Sequence, residues 1–446
     1  MPIGVSRREV LQVGFSGLLG VSALRATAAE KRPAKQVLLV FLTGAASQLE
    51  TFDPKPDAPA ELRGEFGSIP TPVAGLRFCE HLPKLAARAK SCAVVRSFSH
   101  SDNNHTAATH HLITGAIQPG VRFDKPLSRD DWPCFAGGLS YLKPPANGTP
   151  AGVTLPSFLQ EPGVALVWPG QHAGFLGAKH DPLHIDKDPN QKGFAVENLS
   201  LTGGLTTTHL RDRLKLLDAV NAQQDWLGRT ADGQRLTDQQ SAAAALLTSG
   251  AVGRAFDLAH ETDATRDRYG RHLFGQSLLL AKRLLKAGVP VVQANMGRVQ
   301  NWDSHGDIFN TLKNRLLPPL DVAVSALLDD LTAEGLADDV FVAVIGEFGR
   351  TPKLQKQNPT DKAPGRDHWA ACFSGLFFGG GVRGGQVIGK SDATAAYPTT
   401  APFRPDDLGA TVYHLLGVDP HTEVVDRLGR PVQLNRGKVM GGLFTG

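Results

Sequence analysis

Residues 318–350 read PPLDVAVSALLDDLTAEGLADDVFVAVIGEFGR. The first half, up to Gly335, spaces its apolar residues three and four positions apart, which is typical of an amphipathic helix that ends at a glycine. The run 340–345 is short and rich in β-branched residues, so it predicts a strand that is buried on both faces. A helix followed directly by such a strand indicates a parallel α/β sheet with right-handed crossovers.

The same order of helix and strand occurs upstream, where HLFGQSLLLAKRLLKAG (272–288) predicts a helix and GVPVVQANM (288–296) predicts a strand. Other short apolar runs that predict strands are QVLLVFLTG (36–44), SCAVVRS (91–97), GVALVWPG (163–170) and ACFSGLFFG (371–379). The segment from about 205 to 285 is rich in Ala, Leu and Gln and predicts a helical insertion beside the sheet. We therefore predict a single α/β domain over residues 29–446.

The N-terminal stretch SRREVLQVGFSGLLGVSALRATAAE joins the paired Arg7 and Arg8 to an apolar run and then to small residues. This order predicts a twin-arginine export signal over residues 1–28, with a Sec signal or a retained anchor as the alternatives. The protein is then expected in the periplasm or outside the cell. No later stretch has the roughly 20 consecutive apolar residues that a membrane-spanning helix needs.

Composition narrows the function classes further. The net charge is +4, and no run of Lys and Arg interleaved with aromatic residues suggests a nucleic-acid partner. The four cysteines lie far apart without a C-x-x-C pair, which argues against a zinc knuckle or a redox motif. Buried free thiols are expected, with one or two disulfides as the alternative in an oxidising compartment.

Carboxylates, imidazoles and hydroxyls cluster at the ends of the predicted strands. Ligands of open α/β sheets bind beyond the carboxyl ends of the strands, so these side chains are expected at one edge of the sheet. Asp and His together suit zinc and other divalent ions, and Ca or Mg stays open. The alternative is that each is a helix cap or a polar turn. The predicted metal ligands are Asp303, His305, Glu347, His368, Asp367, Glu50, His105 and His100.

Three further residues are candidates for catalysis. Thr106 and Thr51 carry hydroxyls flanked by candidate ligands, so either is a candidate metal-activated nucleophile. Arg350 follows Glu347 closely and can bind a phosphate or sulfate group through its planar fork of donors. The structural alternative for each threonine is a helix cap or a turn.

Several motifs resemble one family, among them TFDPKPDAP, NHTAATHHLITG, WDSHGD, GEFGRTPK and GRDHW. Over nearly the whole mature chain, the sequence is similar to the domain of unknown function family fifteen-oh-one, whose twin-arginine-exported members belong to the alkaline-phosphatase-like, or sulfatase-like, superfamily. The resemblance implies a three-layer α/β sandwich with a mostly parallel sheet and metal ligands at strand ends. It also implies a ligand role for His368, a metal-ligand position for Glu347, and a place near the nucleophile for His105 or Thr106.

The chain departs from the family pattern near its first strand, where Gln48 and Glu50 replace a histidine and an aspartate. It also lacks the C-x-P/A-x-R motif that formylglycine sulfatases require. Two functions therefore stay open. One is a metal-dependent hydrolase of a small anionic ester or of a sulfated or phosphorylated glycan, without formylglycine. The other is a catalytically degenerate binding or assembly protein on the same fold, which Gln48 favours, as does the presence of Glu347 and Phe348 where the superfamily has an Asp-His pair.

Overall fold

A computed structural model describes residues 34–118, 120–121, 125–145, 149–161, 166–196, 250–357 and 359–445. The predicted export signal and residues 205–249 of the predicted helical insertion lie outside these ranges. The described remainder of the insertion, from residue 250, is mainly helical.

The strands are short and follow the apolar runs of the sequence. In chain order they are β1 Gln36–Phe41, β2 Ser68–Pro70, β3 Arg77–Cys79, β4 Ala93–Phe98, β5 Gly152–Leu155, β6 Leu183–His184, β7 Val291–Asn295, β8 Val340–Ile345, β9 Gly349–Arg350, β10 His368–Trp369, β11 Phe373–Phe378, β12 Gln386–Ile388, β13 Glu423–Val425 and β14 Pro431–Gln433. Eight of them form the central sheet in the order β12-β4-β11-β8-β1-β7-β5-β6. The other six form three two-stranded ribbons.

All neighbouring strands of the central sheet run parallel except β11, which is antiparallel to both β4 and β8. The central strand β1 pairs with β7 on one side and β8 on the other. The helix Leu273–Lys286 leads into β7 and the helix Leu317–Ala333 leads into β8, as the repeated order of helix and strand predicts. The expected mostly parallel α/β sheet is confirmed.

Helices cover both faces of the sheet. They are α1 Ala60–Arg63, α2 Pro83–Ala87, α3 His105–Thr114, α4 Phe135–Leu142, α5 Gly250–Ala255, α6 Asp263–Tyr269, α7 Leu273–Lys286, α8 Ile308–Thr311, α9 Leu317–Ala333 and α10 Pro405–Leu415. A π-helical segment, Leu312–Leu316, joins α8 to α9. Single 3₁₀ turns lie at Ala89–Ser91, Gly174–Leu176, Ala178–His180, Leu258–His260 and Gly441–Leu443.

The alternation of side chains along β1 shows how the sheet divides the core. Leu38 and Val40 join a cluster with apolar residues of α2, α7 and α9, whereas Leu39 and Phe41 join a second cluster with α3, α4 and α10. Both faces of the strand are therefore covered by helices, which explains why its sequence is a continuous apolar run rather than an alternating one. The result is a three-layer sandwich.

Three details differ from the sequence prediction. The run 163–170 predicts a strand, but its described part, 166–170, forms only an isolated bridge between Val167 and Gln160. The strand beside β7 is instead β5, a four-residue segment too short for its pattern to be distinctive. β11 is a strand as predicted, but its antiparallel direction brings its first residue, Phe373, to the edge where its neighbours end.

Two further expectations from the sequence, on membrane-spanning helices and on the cysteines, can be compared with the structure. Within the described ranges, no helix combines the length and the hydropathy that crossing a bilayer requires. All four cysteines are free thiols and all are buried, which corresponds to the first of the two alternatives for them.

We expect Leu38→Ala to lower the free energy of unfolding by about 2–5 kcal/mol, because it leaves a cavity on a strand with neighbours on both sides. Val387→Ala is the matched control. Val387 lies on the edge strand β12 and is 40% exposed, whereas Leu38 is fully buried. Urea unfolding of both variants measures the difference. Equal losses would contradict the assignment of β1 to the centre of the sheet.

Candidate metal centre

The direction of the strands brings distant parts of the chain to one edge of the sheet. β4, β7 and β8 run parallel to β1 or to one another, so the residues that follow them meet at this edge. Asp303 lies in the loop after β7, and Glu347 lies two residues after β8. Because β11 is antiparallel, His368, which precedes it, reaches the same edge. The sequence-distant candidates therefore converge.

Helix α3 delivers His105. The side chain of Asn104 caps this helix by accepting a 3.1 Å hydrogen bond from the amide of Ala107, and Gly115 ends it in the left-handed conformation. His105 is thus the first helical residue after β4 and is buried. Its ring stacks on Phe348 at 4.8 Å between centroids, which restricts its orientation.

Asp303 is the centre of the cluster. Its Oδ1 lies 2.5 Å from Nη2 of Arg350, 2.9 Å from Nε2 of His305 and 3.3 Å from Nε2 of His368. Its Oδ2 lies 3.2 Å from Nε2 of His105. Burial by itself would raise the pKa of Asp303, but the three histidines and the charge of Arg350 hold that pKa well below its usual range. The carboxyl is therefore ionised at neutral pH.

Glu347 orients His105 from the other side. Its fully buried carboxylate accepts hydrogen bonds from Nδ1 of His105 at 2.7 Å and from the amides of Gly44 and Ala45 at 2.9 and 3.0 Å. Nδ1 of His105 therefore carries a proton and Nε2 is the remaining ring nitrogen. Nε2 is buried and makes no hydrogen bond to the described residues, although it faces Asp303. Burial opposes protonation of this ring, but Asp303 and Glu347 together raise its pKa.

His305 and His368 point ring nitrogens at each other. Nδ1 of His368 lies 2.8 Å from the carbonyl oxygen of Asn103 and donates to it, which leaves Nε2 of His368 as an acceptor. This Nε2 lies 2.9 Å from Nε2 of His305. Nδ1 of His305 lies 3.6 Å from Oδ1 of Asp367. Two imidazole nitrogens directed at one point beside a carboxylate form the environment that a cation or a shared proton requires.

The described residues form two groups in which the ligand atoms all lie within 4.8 Å of one another. One group is His105, Asp303 and His368, and the other is His305, Asp367 and His368. The donors are imidazole nitrogen and carboxylate oxygen, which suit zinc and similar divalent ions. Nε2 of His105 is buried and lies 3.2 Å from Oδ2 of Asp303 without hydrogen-bond geometry, so an ion between the two atoms would satisfy both. The residues present therefore fit a divalent cation.

Glu50 has a different role from the predicted one. Its carboxylate forms an ion pair with the fully buried guanidinium of Arg366, with 3.1 Å from Nε and 2.6 Å from Nη2 to Oε1. Arg366 also donates to the carbonyl oxygens of Leu62 and Thr351. Glu50 thus belongs to neither ligand group, because its carboxylate is already paired with the buried guanidinium of Arg366.

His100 and Glu347 also differ from the prediction that they bind metal. Nε2 of His100 donates to the carbonyl oxygen of Glu347 at 2.7 Å, and Nδ1 accepts from the amide of Asp102 at 3.2 Å. Both ring nitrogens are therefore used within the protein. Glu347 belongs to neither group of converging ligand atoms, and its carboxylate orients the ring of His105 instead.

The three predicted catalytic residues, Thr51, Thr106 and Arg350, differ in what their side chains bind. The hydroxyl of Thr51 donates to the carbonyl oxygen of Ser47 at 2.7 Å. Thr106 is fully buried, and its hydroxyl has no hydrogen-bond partner among the described residues. Arg350 is fully buried, and its guanidinium donates to the carbonyl oxygens of Gly44 and Ala45 besides contacting Asp303. In the structure Arg350 holds Asp303 in place and presents no fork of donors to solvent.

Gln48 explains how the chain accommodates its departure from the family pattern. Its Oε1 accepts from the amide of Arg350 at 2.9 Å, and its Nε2 donates to the carbonyl oxygens of Arg350 and Ala395 at 2.9 and 3.0 Å. A side-chain amide has one acceptor oxygen and a nitrogen with two N–H donors, so Gln48 makes all three hydrogen bonds at once. Gln48 therefore links the start of β9 to the loop around Ala395 and lies outside both ligand groups.

Sequence reasoning missed Asn103 and the dipeptide Gly44–Ala45. Both residues of the dipeptide have positive φ, 93° and 66°, and a Cβ atom at Gly44 would lie 2.5 Å from the Cα of Gln300. Gly44 follows β1 directly, so a glycine after a buried strand was a usable signal of close backbone approach. Nothing in the sequence distinguishes Asn103 from Asn104, because its role depends on a carbonyl oxygen.

Fold and site together define an α/β protein with a candidate divalent-cation centre at the carboxyl edge of its sheet. The chain belongs to the family described as "Protein of unknown function (DUF1501)", whose model matches residues 34–444. The family predicted from the motifs is thus confirmed. A search of curated proteins found no significant match. Because the family description names no activity, the function has to come from the chemistry of the site.

Solved structures with a similar arrangement have low sequence identity to this chain. The crystal structure of Ps i-CgsB is 12% identical, with a TM-score of 0.43 over 93% of this chain and 76% of that chain. The alkaline phosphatase from the Antarctic bacterium TAB5 is 12% identical, with a TM-score of 0.37 over 87% and 99%. The phosphonate monoester hydrolase SpPMH from Silicibacter pomeroyi is 12% identical, with a TM-score of 0.36 over 93% and 76%.

We expect Glu50→Gln to lower the free energy of unfolding by about 3–5 kcal/mol, because it leaves the buried charge of Arg366 without its partner. Zinc affinity, measured by competition with a chromophoric chelator at a temperature where the variant is folded, should not change. Asp338→Asn, at an exposed site, is the control for loss of a carboxylate. Loss of zinc affinity with unchanged stability would instead support the predicted ligand role of Glu50.

The buried His100 should make stability depend on pH. Burial lowers its pKa from 6.5 to about 4, so between these values the unfolded chain binds a proton that the folded chain does not. The stabilisation is complete above pH 6.5 and is lost as the pH falls towards 4. From pH 7 to pH 5, His100→Gln should lose about 2 kcal/mol less stability than the wild type. Urea unfolding at both pH values tests this, and equal losses would contradict it.

Proposed function

We propose that this protein is a metal-dependent hydrolase of phosphate or sulfate esters that acts after export, as its paired arginines predict. The observation that carries the proposal is the convergence of His105, Asp303 and His368, whose ligand atoms all lie within 4.8 Å of one another. Nε2 of His105 is buried and lies 3.2 Å from Oδ2 of Asp303 without hydrogen-bond geometry, and Nε2 of His368 lies 3.3 Å from Oδ1 of the same carboxylate. A cation bound among these atoms would have two imidazole ligands and one carboxylate ligand.

His105, Asp303 and His368 would hold the cation, and His305 stands where it can contribute a fourth ligand. Glu347 and the carbonyl oxygen of Asn103 fix the rings of His105 and His368 so that both Nε2 atoms face Asp303. This is the arrangement in which carboxylates and carbonyls raise the basicity of histidine ligands. A divalent cation bound there would supply Lewis acidity towards an ester oxygen and water of lowered pKa.

A divalent cation would remove the excess negative charge of the centre. Asp303, Glu347 and Asp367 are three carboxylates, and the fully buried Arg350 compensates one of them. A bound divalent cation would compensate the other two, so that an ester anion could approach the cation without net repulsion. Asp367, which is 45% exposed at its side chain, lies at the solvent side of the cluster beside His305 and can accept a proton there.

The two threonine hydroxyls differ in their availability. The hydroxyl of Thr51 is bound to the carbonyl oxygen of Ser47, whereas the buried hydroxyl of Thr106, the residue after His105, has no hydrogen-bond partner among the described residues. Thr106 therefore stays a candidate nucleophile. A water molecule is the alternative, with Asp367 beside His305 at the solvent side to receive its proton.

A binding protein without turnover is the second candidate. The contact of 2.5 Å between Arg350 and Asp303 favours it, because a guanidinium at this carboxylate competes with a cation. Glu50, which the sequence places among the ligands, is also committed to Arg366. The two candidates differ in one measurable property, which is hydrolysis by the metal-loaded protein.

The test begins with metal content. We expect the wild type to bind zinc at a fixed stoichiometry by elemental mass spectrometry after dialysis, and Asp303→Asn to lose it. Glu347→Gln should bind about 10–100-fold more weakly, because it disturbs the orientation of a ligand without removing one. Asp338→Asn, at an exposed carboxylate outside the cluster, is the matched control.

The second measurement is turnover of p-nitrophenyl phosphate, bis(p-nitrophenyl) phosphate and p-nitrophenyl sulfate. Metal-dependent hydrolysis that Asp303→Asn abolishes and Asp338→Asn retains would support the hydrolase. Stoichiometric metal without turnover of any of the three esters would support the binding protein. Equal and negligible metal in the wild type and in Asp303→Asn would overturn the hydrolase and favour the binding protein, in which Arg350 occupies Asp303 in place of a cation.

A further inference from the structure

A second charged pocket lies among residues that the candidate metal centre does not use. Its walls come from the loop 54–59, from Gly75 and Arg77, from Arg96 on β4, and from residues 393–394. Three of its side chains are cationic, namely Lys55, Arg77 and Arg96. The one acidic residue in the lining is Asp57, which is exposed. The pocket is therefore positive on balance.

The buried carboxylate behind the pocket does not neutralise it. Oδ1 of Asp53 lies 2.9 Å from Nζ of Lys55 and 3.1 Å from Nε of Arg96, so the two cations share one oxygen. The other oxygen of Asp53 accepts a hydrogen bond from the hydroxyl of Ser391. Asp53 is 1% exposed, and it supplies a single negative charge to two positive ones. One positive charge stays without a partner in a largely desolvated position.

Each of the three cations keeps a donor that the described residues do not use. Nε and Nη2 of Arg96 donate to the carbonyl oxygen of Phe52 at 3.0 and 2.8 Å, and Nη1 has no partner. Arg77 donates through Nε and Nη2 to Ser68, which is neutral, and its Nη1 is also unused. Nζ of Lys55 donates to the hydroxyl of Ser391 and forms an ion pair with Asp53, which leaves at least one N–H unused.

We propose that this pocket binds a phosphate or sulfate group. Guanidinium and ammonium donors that line one pocket match the oxygens of a tetrahedral anion, and such charge-assisted hydrogen bonds are strong. The bound anion compensates the positive charge that Asp53 leaves. The three prolines of the wall, Pro54, Pro56 and Pro59, limit the freedom of the loop and hold Lys55 in position.

The experiment is calorimetric titration of the full chain with inorganic phosphate and, separately, with sodium sulfate. The protein is first dialysed against a chelator, so that no metal ion can bind the anion elsewhere. We expect saturable binding of one anion in the wild type. Lys55→Met should weaken it about tenfold or more, because a charge-assisted hydrogen bond is lost. Lys55→Arg, which keeps the charge and donors, should retain most of the affinity.

Lys313→Met is the matched control, because the side chain of Lys313 is exposed, makes no hydrogen bond to the described residues and does not line the pocket. Arg77→Met is a second pocket variant, and thermal unfolding verifies that each variant is folded. Asp303→Asn separates this proposal from the proposed function. It should bind the anion as the wild type does, because Asp303 belongs only to the candidate metal centre.

The outcomes are distinct. No saturable binding of either anion to the folded wild type would overturn the proposal, as would equal affinity in Lys55→Met and Lys313→Met. Loss of binding in Asp303→Asn would also overturn it, since the anion would then lie at the metal centre. Phenyl phosphate identifies the source of the group. Affinity equal to that of inorganic phosphate supports a group carried on a larger molecule, and affinity about tenfold weaker supports a free ion.

Discussion

The buried carboxylate of Glu347 is the group on which the arrangement of this protein depends. A fully buried charge is tolerated only where hydrogen bonds surround it, and here they come from His105 and from the amides of Gly44 and Ala45. These donors belong to helix α3 and to the loop after β1, while Glu347 itself follows β8. The compensation of one charge thus joins three elements and aims Nε2 of His105 at Asp303.

The dipeptide Gly44–Ala45 contributes to both sides of the cluster. Its amides point at Glu347, and its carbonyl oxygens accept from the guanidinium of Arg350, which in turn contacts Asp303. A peptide with two consecutive positive φ angles can present amides in one direction and carbonyls in another. The Gly44–Ala45 backbone therefore lies between the negative Glu347 and the positive Arg350 and hydrogen-bonds to both. Arg350 in turn pairs with Asp303, which is ionised next to three imidazoles.

The chain uses buried ion pairs in two different ways. Glu50 and Arg366 compensate each other in a closed pair, with further carbonyl oxygens around the guanidinium, so their role is structural. Asp53 instead shares one oxygen between two cations and leaves positive charge at a pocket. What distinguishes a structural ion pair from the proposed anion site is whether the buried positive and negative charges are equal in number, and not merely whether charged residues are present. Sequence composition does not reveal that balance.

The sequence by itself determined the sheet and its order of helix and strand. A short, continuous apolar run such as 340–345 predicts a strand that is covered by helices on both faces. The sequence also placed Asp303, His305 and His368 at one edge. Only the tertiary structure decided which candidates converge with them. Glu50 and His100 look like ligands in sequence, but Glu50 is paired with Arg366 and His100 is bonded to the carbonyl oxygen of Glu347, each far away in the chain. Hydrogen-bond partners depend on distances of a few ångströms across the fold, and the direction of β11 that brings His368 to the edge is set by pairing, which local pattern does not encode.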